Sequence, residues 1–344
     1  ATFGGSNIVF ENNSQWSGTN SSGDESIDSA ITLNGVAHFT LGGYNFDCTN
    51  IVSGSGGFVE DYYQGAIVFS ASNTYAGPTI IGSSGNAPEV VLNGNGSISH
   101  SSLIFFGGNN PTAAHIDVSG RSDQTLTLAS GQTLQGIGQI TGNLVVSAEA
   151  TISPGGTNTT IGITTGSNPV GMLVASEDIT LDGTTIIKLD GASNDVVEAA
   201  ANITYGGTLN LANMSGMPLA AGESFQIFSA ANYLGTFANI TPATPGPGLA
   251  WNTSQLSSGV ISVAIASGRP VITSAYTAGA NLIFSGTGGS GNGTYYVLTS
   301  TNLTAPIADW TPIATNQADI NGNFNATNPI SYGNLDQFYI IKRP

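Results

Sequence analysis

The sequence predicts an all-β protein: a right-handed parallel β-helix (solenoid) followed by a small β-sandwich of immunoglobulin or fibronectin type. Three observations carry this. Apolar residues come in short bursts broken by Gly, Asn, Asp or Pro, as in "GQTLQGIGQITGNLVVSAEATISPG" at 131–155. Helical periodicity is almost absent. The chain of 344 residues holds 47 glycines, about twice the usual share, and they fall between the bursts, where tight corners form. Strands this short, with corners this frequent, suit three strands per coil better than long hairpins. A generic antiparallel sandwich is the alternative for the same pattern.

Residues 1–64 are read as an N-terminal β region or cap. "ATFGGSNIVFEN" opens it with strand-like residues, and Phe3, Ile8, Val9 and Phe10 are candidate contacts to a second copy. "EDYYQ" at 60–64 is the densest acidic-aromatic patch; Tyr62 and Tyr63 are candidates for packing, a subunit contact or sugar stacking. Residues 65–268 are the β-helix. Its strands include "AIVF", "EVVL", "SLIFF", "TLTL", "NLVV", "TTIIKL", "GTLNL", "SFQIF" and "VISVAI". Leu126, Leu128, Leu134, Leu144, Val146 and Ile152 are expected inside, with Ser, Thr and Asn ladders outside. "VVEAAA" at 196–201 is the best helical candidate, and the Pro/Gly run at 241–251 reads as a cap or bend. From 269 to 344 strands lengthen and aromatics return, giving roughly seven strands with Trp310 as a candidate core anchor.

Several segments resemble a known family. "GAIVFSASNTYAGPTIIG" at 65–82 resembles the repeat of autotransporter-associated β-strand proteins, an apolar strand followed by Ser-x-Asn-Thr-Tyr-x-Gly and a Thr/Ile strand. "VVLNGNGSIS", the 131–155 stretch and residues 203–237 are similar to later blocks of such proteins. Residues 294–329 with "QFYIIKRP" resemble their small C-terminal domain. The resemblance implies a β-helical passenger exported to a bacterial surface. Its motifs are structural and speak to architecture more than to activity.

Charge excludes some partners. Only 8% of residues are charged and the net charge is −16. The cations are Arg121, Arg269, Lys188, Lys342 and Arg343, too few to track a phosphate backbone or an anionic membrane. No apolar run is long enough for a membrane helix, so neither nucleic acid nor membrane insertion is expected. Cys48 is the sole cysteine. It is expected as a small buried thiol, with an intermolecular bridge as the alternative, and no disulfide or thiolate zinc site can form within the chain. A chain starting at Ala1 without Met reads as a mature exported protein after signal-peptide removal.

No catalytic constellation stands out. "GTGGSG" at 286–291 has dinucleotide-loop spacing but precedes a strand, not a helix. The acidic groups Asp24/Glu25/Asp28, Glu60/Asp61 and Glu177/Asp178/Asp182 read as solvated corners, because neighbours on a strand point to opposite faces. His38, His100 and His115 lack ligand spacing. "DINGNF" at 319–324 echoes a calcium loop without its closing Glu, and "DGASND" at 190–195 is weaker still. No enzyme activity, cofactor or metal is expected. The sequence therefore points to a non-enzymatic, secreted structural protein, self-assembling head to tail into a filament, sheath or surface layer. A polysaccharide-binding or -cleaving β-helix, or an adhesin stalk, is the alternative.

Overall fold

The computed structural model describes all residues except 1, 4, 6, 19–22, 42, 63–64, 83–87, 109–113, 157–169, 267–269, 290–292, 320–321, 331–335 and 344; for 2, 3, 18, 61 and 62 it describes the backbone alone. The protein is all-β. Two 3-10 turns, Leu256–Ser258 and Ile307–Asp309, are the only helical elements among the described residues. The chain forms two compact units, one of residues 1–217, 225–242 and 253–261, the other of 218–224, 243–252 and 262–344.

The first unit is built from parallel ladders. Its largest sheet has 20 strands, beside parallel sheets of five and three. Residues two apart on a strand share a face, so parallel register stacks like on like. One buried column runs Phe46, Ile67, Val90, Ile116, Ile140, Ala175, Ala199. Another runs Leu126, Leu144, Ile179, Ile203. The six residues expected inside from 126 to 152 are all buried. Pairing continues on both sides of the 64–65 boundary, since Phe46–Cys48 pairs with Ala66–Phe69. Described strands on the N-terminal side of that boundary thus share the 20-stranded sheet, while Ile8–Phe10, Ile31–Leu33 and Val52–Gly54 form a parallel sheet of their own.

Residues 196–199, within the best helical candidate of the sequence, are a strand. Val197 and Ala199 point inward and Val196 and Glu198 outward. Pairing with Met172–Ala175 on one side and Phe228–Ser229 on the other overrides the alanine-rich helical propensity. Strands Thr79–Ile81 and Leu103–Gly107 are buried on both faces, and Val59, Ile80 and Phe105 form a second small core with Val36 and Leu103.

Polar side chains repeat across the ladders as the apolar ones do. Asn143, Asp178, Asn202 and Asn232 occupy equivalent positions at strand starts. Asn143 Oδ1 accepts from the Asp178 amide (3.2 Å), Asp178 Oδ1 from Asn202 Nδ2 (2.7 Å), and Asn202 Oδ1 from Asn232 Nδ2 (3.1 Å). The Ser-x-Asn-Thr-Tyr segment works similarly. Asn73 Oδ1 accepts from the Val52 amide at 2.8 Å, and buried Tyr75 lies 2.6 Å from Thr79 Oγ1, which donates to Ser101.

The corner "GIG" shows why glycine is placed where it is. Strand Thr133–Thr141 pairs through its first half with Leu103–Gly107 and Thr151–Pro154, and through its second half with His115–Asp117 and Met172–Ala175. The chain changes ladder between Ile137 and Gly138, just beyond Gly136, which sits at φ +109° where a Cβ would stand 2.0 Å from the Phe106 carbonyl oxygen.

The second unit holds two antiparallel three-stranded sheets, Val271–Ala278/Asn281–Thr287/Phe324–Pro329 and Thr311–Gln317/Thr294–Ser300/Phe338–Lys342. Phe284, Tyr295, Val297, Ala318, Phe324, Ala326 and Ile341 form its core. Trp310 is buried and donates Nε1–H to the Ala305 carbonyl at 3.0 Å, but it stands outside that cluster. Leu249–Asn252, at the end of the Pro/Gly run, is a strand paired antiparallel with Val260–Ile265.

Gly136→Ala should lower unfolding stability by about 3 kcal/mol or more, because a disfavoured φ and a backbone clash coincide. Gly131→Ala, at φ +81° with nothing within 4 Å of a Cβ, should lose only about 1–2 kcal/mol. Urea midpoints of the two variants check this.

Candidate functional site

Among the described residues several edge strands carry exposed apolar side chains, and two of these edges are candidates for pairing with another chain. The first is Ile8–Phe10, which pairs in parallel with Ile31–Leu33. Ile8 N–H donates to the Ala30 carbonyl at 2.9 Å, and the Phe10 carbonyl accepts from Asn34 N–H at 2.9 Å. By the alternation of a parallel ladder, the Val9 N–H and C=O then face the opposite edge. No strand pairs with that edge among the described residues. Val9 is 50% exposed.

The second edge is Val271–Ala278. It pairs only with Asn281–Thr287 among the described residues, and all eight of its residues are exposed. An ordinary edge strand hides one face. This one bares both, with Val271 at 55%, Ile272 at 39% and Tyr276 at 56% exposed. Proteins usually block long, apolar edges; here the register shifts once, between Ile272 and Ser274, and the apolar side chains on either side stay exposed. Composition alone gave no warning, because "PVITSAY" reads as an ordinary sandwich strand; its lack of polar–apolar alternation was the available signal.

The candidate contacts separate on inspection. Phe10 belongs to its own core, buried with its ring 5.3 Å from that of Phe39. Ile8 is half-buried and Val9 is exposed. The Phe3 backbone pairs with Ile27 and the Tyr62 backbone with Thr40; their side chains, and Tyr63 entirely, lie outside the described residues.

The ionisable groups are largely structural. Glu60 is no solvated corner: it is fully buried, in register between Phe39 and Ile81. Inward Phe58 two residues earlier dictates that orientation. Glu177, Asp178 and Asp182 are exposed, as expected. Asp28 accepts hydrogen bonds from Ser26 (3.1 Å) and Thr49 (2.8 Å). Asp319 closes its own turn, accepting from Asn323 N–H at 2.8 Å and Asn323 Nδ2 at 2.9 Å. In the 190–195 loop, Asp195 is committed to Lys188, 2.7 Å away. Among the described residues no three His, Cys, Asp or Glu side chains converge as a metal site. Cys48 is buried, which pushes its thiol pKa up, with Asp47 adding to the effect.

One constellation escaped sequence reasoning because its members are far apart in the chain. His115 Nδ1 lies 2.8 Å from Glu89 Oε1, and Nε2 lies 2.7 Å from Thr141 Oγ1. Carboxylate, imidazole and hydroxyl stand in the order of a hydrolytic triad. The amide beside the hydroxyl is spent, however: Gly142 N–H donates to Ser176 Oγ at 2.9 Å, so it is not poised as an oxyanion donor. The arrangement ties outward rows of neighbouring strands together.

No protein-family model matches the chain, and no curated protein matches its sequence.

The Lys188–Asp195 pair gives a test of the electrostatics. Burial raises the Asp195 pKa, and Lys188 opposes that rise. Lys188 Nζ also donates to Ser153 Oγ at 3.2 Å and to the Pro154 carbonyl. Lys188→Met leaves the carboxylate uncompensated and should cost about 3–5 kcal/mol at neutral pH. A carboxyl raised in the folded state favours folding when protonated and loses that contribution as pH rises through its folded pKa. The deficit of the variant should therefore shrink on mild acidification, measured by urea unfolding across pH.

Proposed function

We propose that the protein is a non-enzymatic structural subunit of the cell exterior that joins further copies head to tail through strand edges. Its first unit is read as a right-handed parallel β-helix and its second as an immunoglobulin- or fibronectin-like sandwich. The resemblance of residues 65–82 to autotransporter-associated repeats supports the first reading and export to a bacterial surface.

The observation that carries the assembly reading is the Val271–Ala278 strand, bare on both faces and along one edge. Ile8–Phe10 offers a different open edge. A contact between two unlike surfaces is heterologous, and such contacts propagate into filaments unless the rotation closes a ring. Strand addition supplies affinity through backbone hydrogen bonds and register through alternate side chains. Sparse Lys and Arg and the scarcity of charge leave Ser, Thr and Asn ladders as the outer surface, which suits a durable extracellular polymer.

Negative-stain microscopy and sedimentation test this. The wild type should form filaments. Val9→Pro removes the one N–H aimed at the open edge and spares the internal pairing; Tyr276→Lys places a charge on the bare strand. Each variant should keep its circular dichroism spectrum and sediment as a monomer. A wild type that stays monomeric at the highest attainable concentration, or variants that still form filaments, would overturn the reading.

A further inference from the structure

A cavity of about 300 Å³ lies in the first unit, against strands Asn202–Tyr205 and Asn232–Gly235. Its aromatic side is a stack. The Phe237 and Tyr205 ring centroids are 4.7 Å apart with planes at 28°, and Tyr205 and Tyr233 are 6.0 Å apart at 25°. The rings are locked in place. Tyr205 Oη donates to the Leu256 carbonyl at 2.9 Å, and Tyr233 Oη accepts from Ala230 N–H at 3.0 Å and donates to the Phe228 carbonyl at 3.2 Å. Burial, reinforced by Tyr233, pushes the Tyr205 phenol pKa up, so it stays neutral.

The rim is of another chemistry. Thr236, Thr253 and Ser257 line it and are exposed, and among the described residues their hydroxyls make no hydrogen bond to protein. Among the described residues no Asp, Glu, Lys, Arg or His lines the cavity. A ligand here meets aromatic and aliphatic side chains, exposed hydroxyls and, among the described residues, no charged side chain. Its volume is at the low end of small-molecule pockets, enough for one ring.

From this combination we propose that the cavity binds one hexopyranose unit of a neutral polysaccharide. The C–H face of a pyranose is apolar and slightly positive, which suits the negative face of an aromatic ring. Its hydroxyls, in the ring plane, match a rim of Thr and Ser. A uronic acid unit fits poorly: no cation awaits its carboxylate, and the chain carries a net charge of −16. The cavity lining shares no residue with Ile8–Phe10 or Val271–Ala278, so binding does not require assembly.

The test uses the full chain carrying Tyr276→Lys, so that polymerisation does not affect the readout. Isothermal titration with neutral hexasaccharides (β-1,4-glucan, α-1,4-glucan and mannan) should show millimolar binding of at least one. Oligogalacturonate should not bind. Phe237→Leu, which keeps the apolar volume and removes the ring face, should weaken binding at least about tenfold. Thr236→Val, which removes a rim hydroxyl at constant shape, should weaken it about threefold or more. Saturation-transfer spectra should place ring C–H protons, not hydroxyl-bearing edges alone, against aromatic protons. Binding of none of the three, equal binding of the uronate, or full affinity in Phe237→Leu with an unchanged unfolding midpoint would overturn the assignment.

Discussion

In-register parallel stacking is the constraint on which the first unit depends. Each inward side chain sits on its counterpart in the next strand, so a column must be compatible with itself along its whole length. Phe46, Ile67, Val90, Ile116, Ile140, Ala175 and Ala199 meet that condition by being apolar throughout. The Asn143–Asp178–Asn202–Asn232 column meets it with amides and one carboxylate that bond to each other and to the backbone. Charge cannot stack in this way, since like charges in register repel. The rarity of Lys, Arg, Asp and Glu is thus a condition of the architecture as well as a surface property.

The few charges that enter the interior follow a stricter rule. A buried charge must be compensated or it costs stability. Asp195 is fully buried and meets Lys188 together with the backbone amides of Gly171 and Lys188, each at 2.8 Å. Chain geometry, not solvent, decides where these side chains go.

Much of this was legible in the sequence. Alternation in "TLTL" and "NLVV", with glycine between, located strands and their inward faces, and all six core residues read from 126 to 152 are buried. What was missed has physical causes. Residues 196–199 carry helix-favouring Ala and Glu, and only pairing on both sides reveals a strand. Glu60 was taken for solvent-facing because adjacency to Asp61 outweighed the alternation set by Phe58. The Glu89–His115–Thr141 contact and the ring stack of Tyr205, Tyr233 and Phe237 depend on which strands become neighbours, and no local pattern encodes that. The bare Val271–Ala278 strand looked ordinary because exposure depends on what fails to cover it.

The distribution of aromatic residues follows from the same stacking rule. Between residues 107 and 204 the chain contains no Phe, Tyr or Trp, and the columns there are Leu, Ile, Val and Ala. Rings gather in the earlier strands, where Phe39 packs within 5.5 Å of Phe10, Phe46 and Phe58, and again in the later ones with Tyr205, Phe228, Tyr233 and Phe237. Aliphatic columns propagate well because branched side chains nest on identical neighbours without a preferred tilt. Rings tilt and offset to satisfy their quadrupoles, which adapts them to strands whose neighbours differ from one to the next. In the middle the ladder needs only sameness; in the earlier and later strands buried rings such as Phe39, Phe46, Phe58, Tyr205 and Phe228 pack on one another, and their contacts are directional.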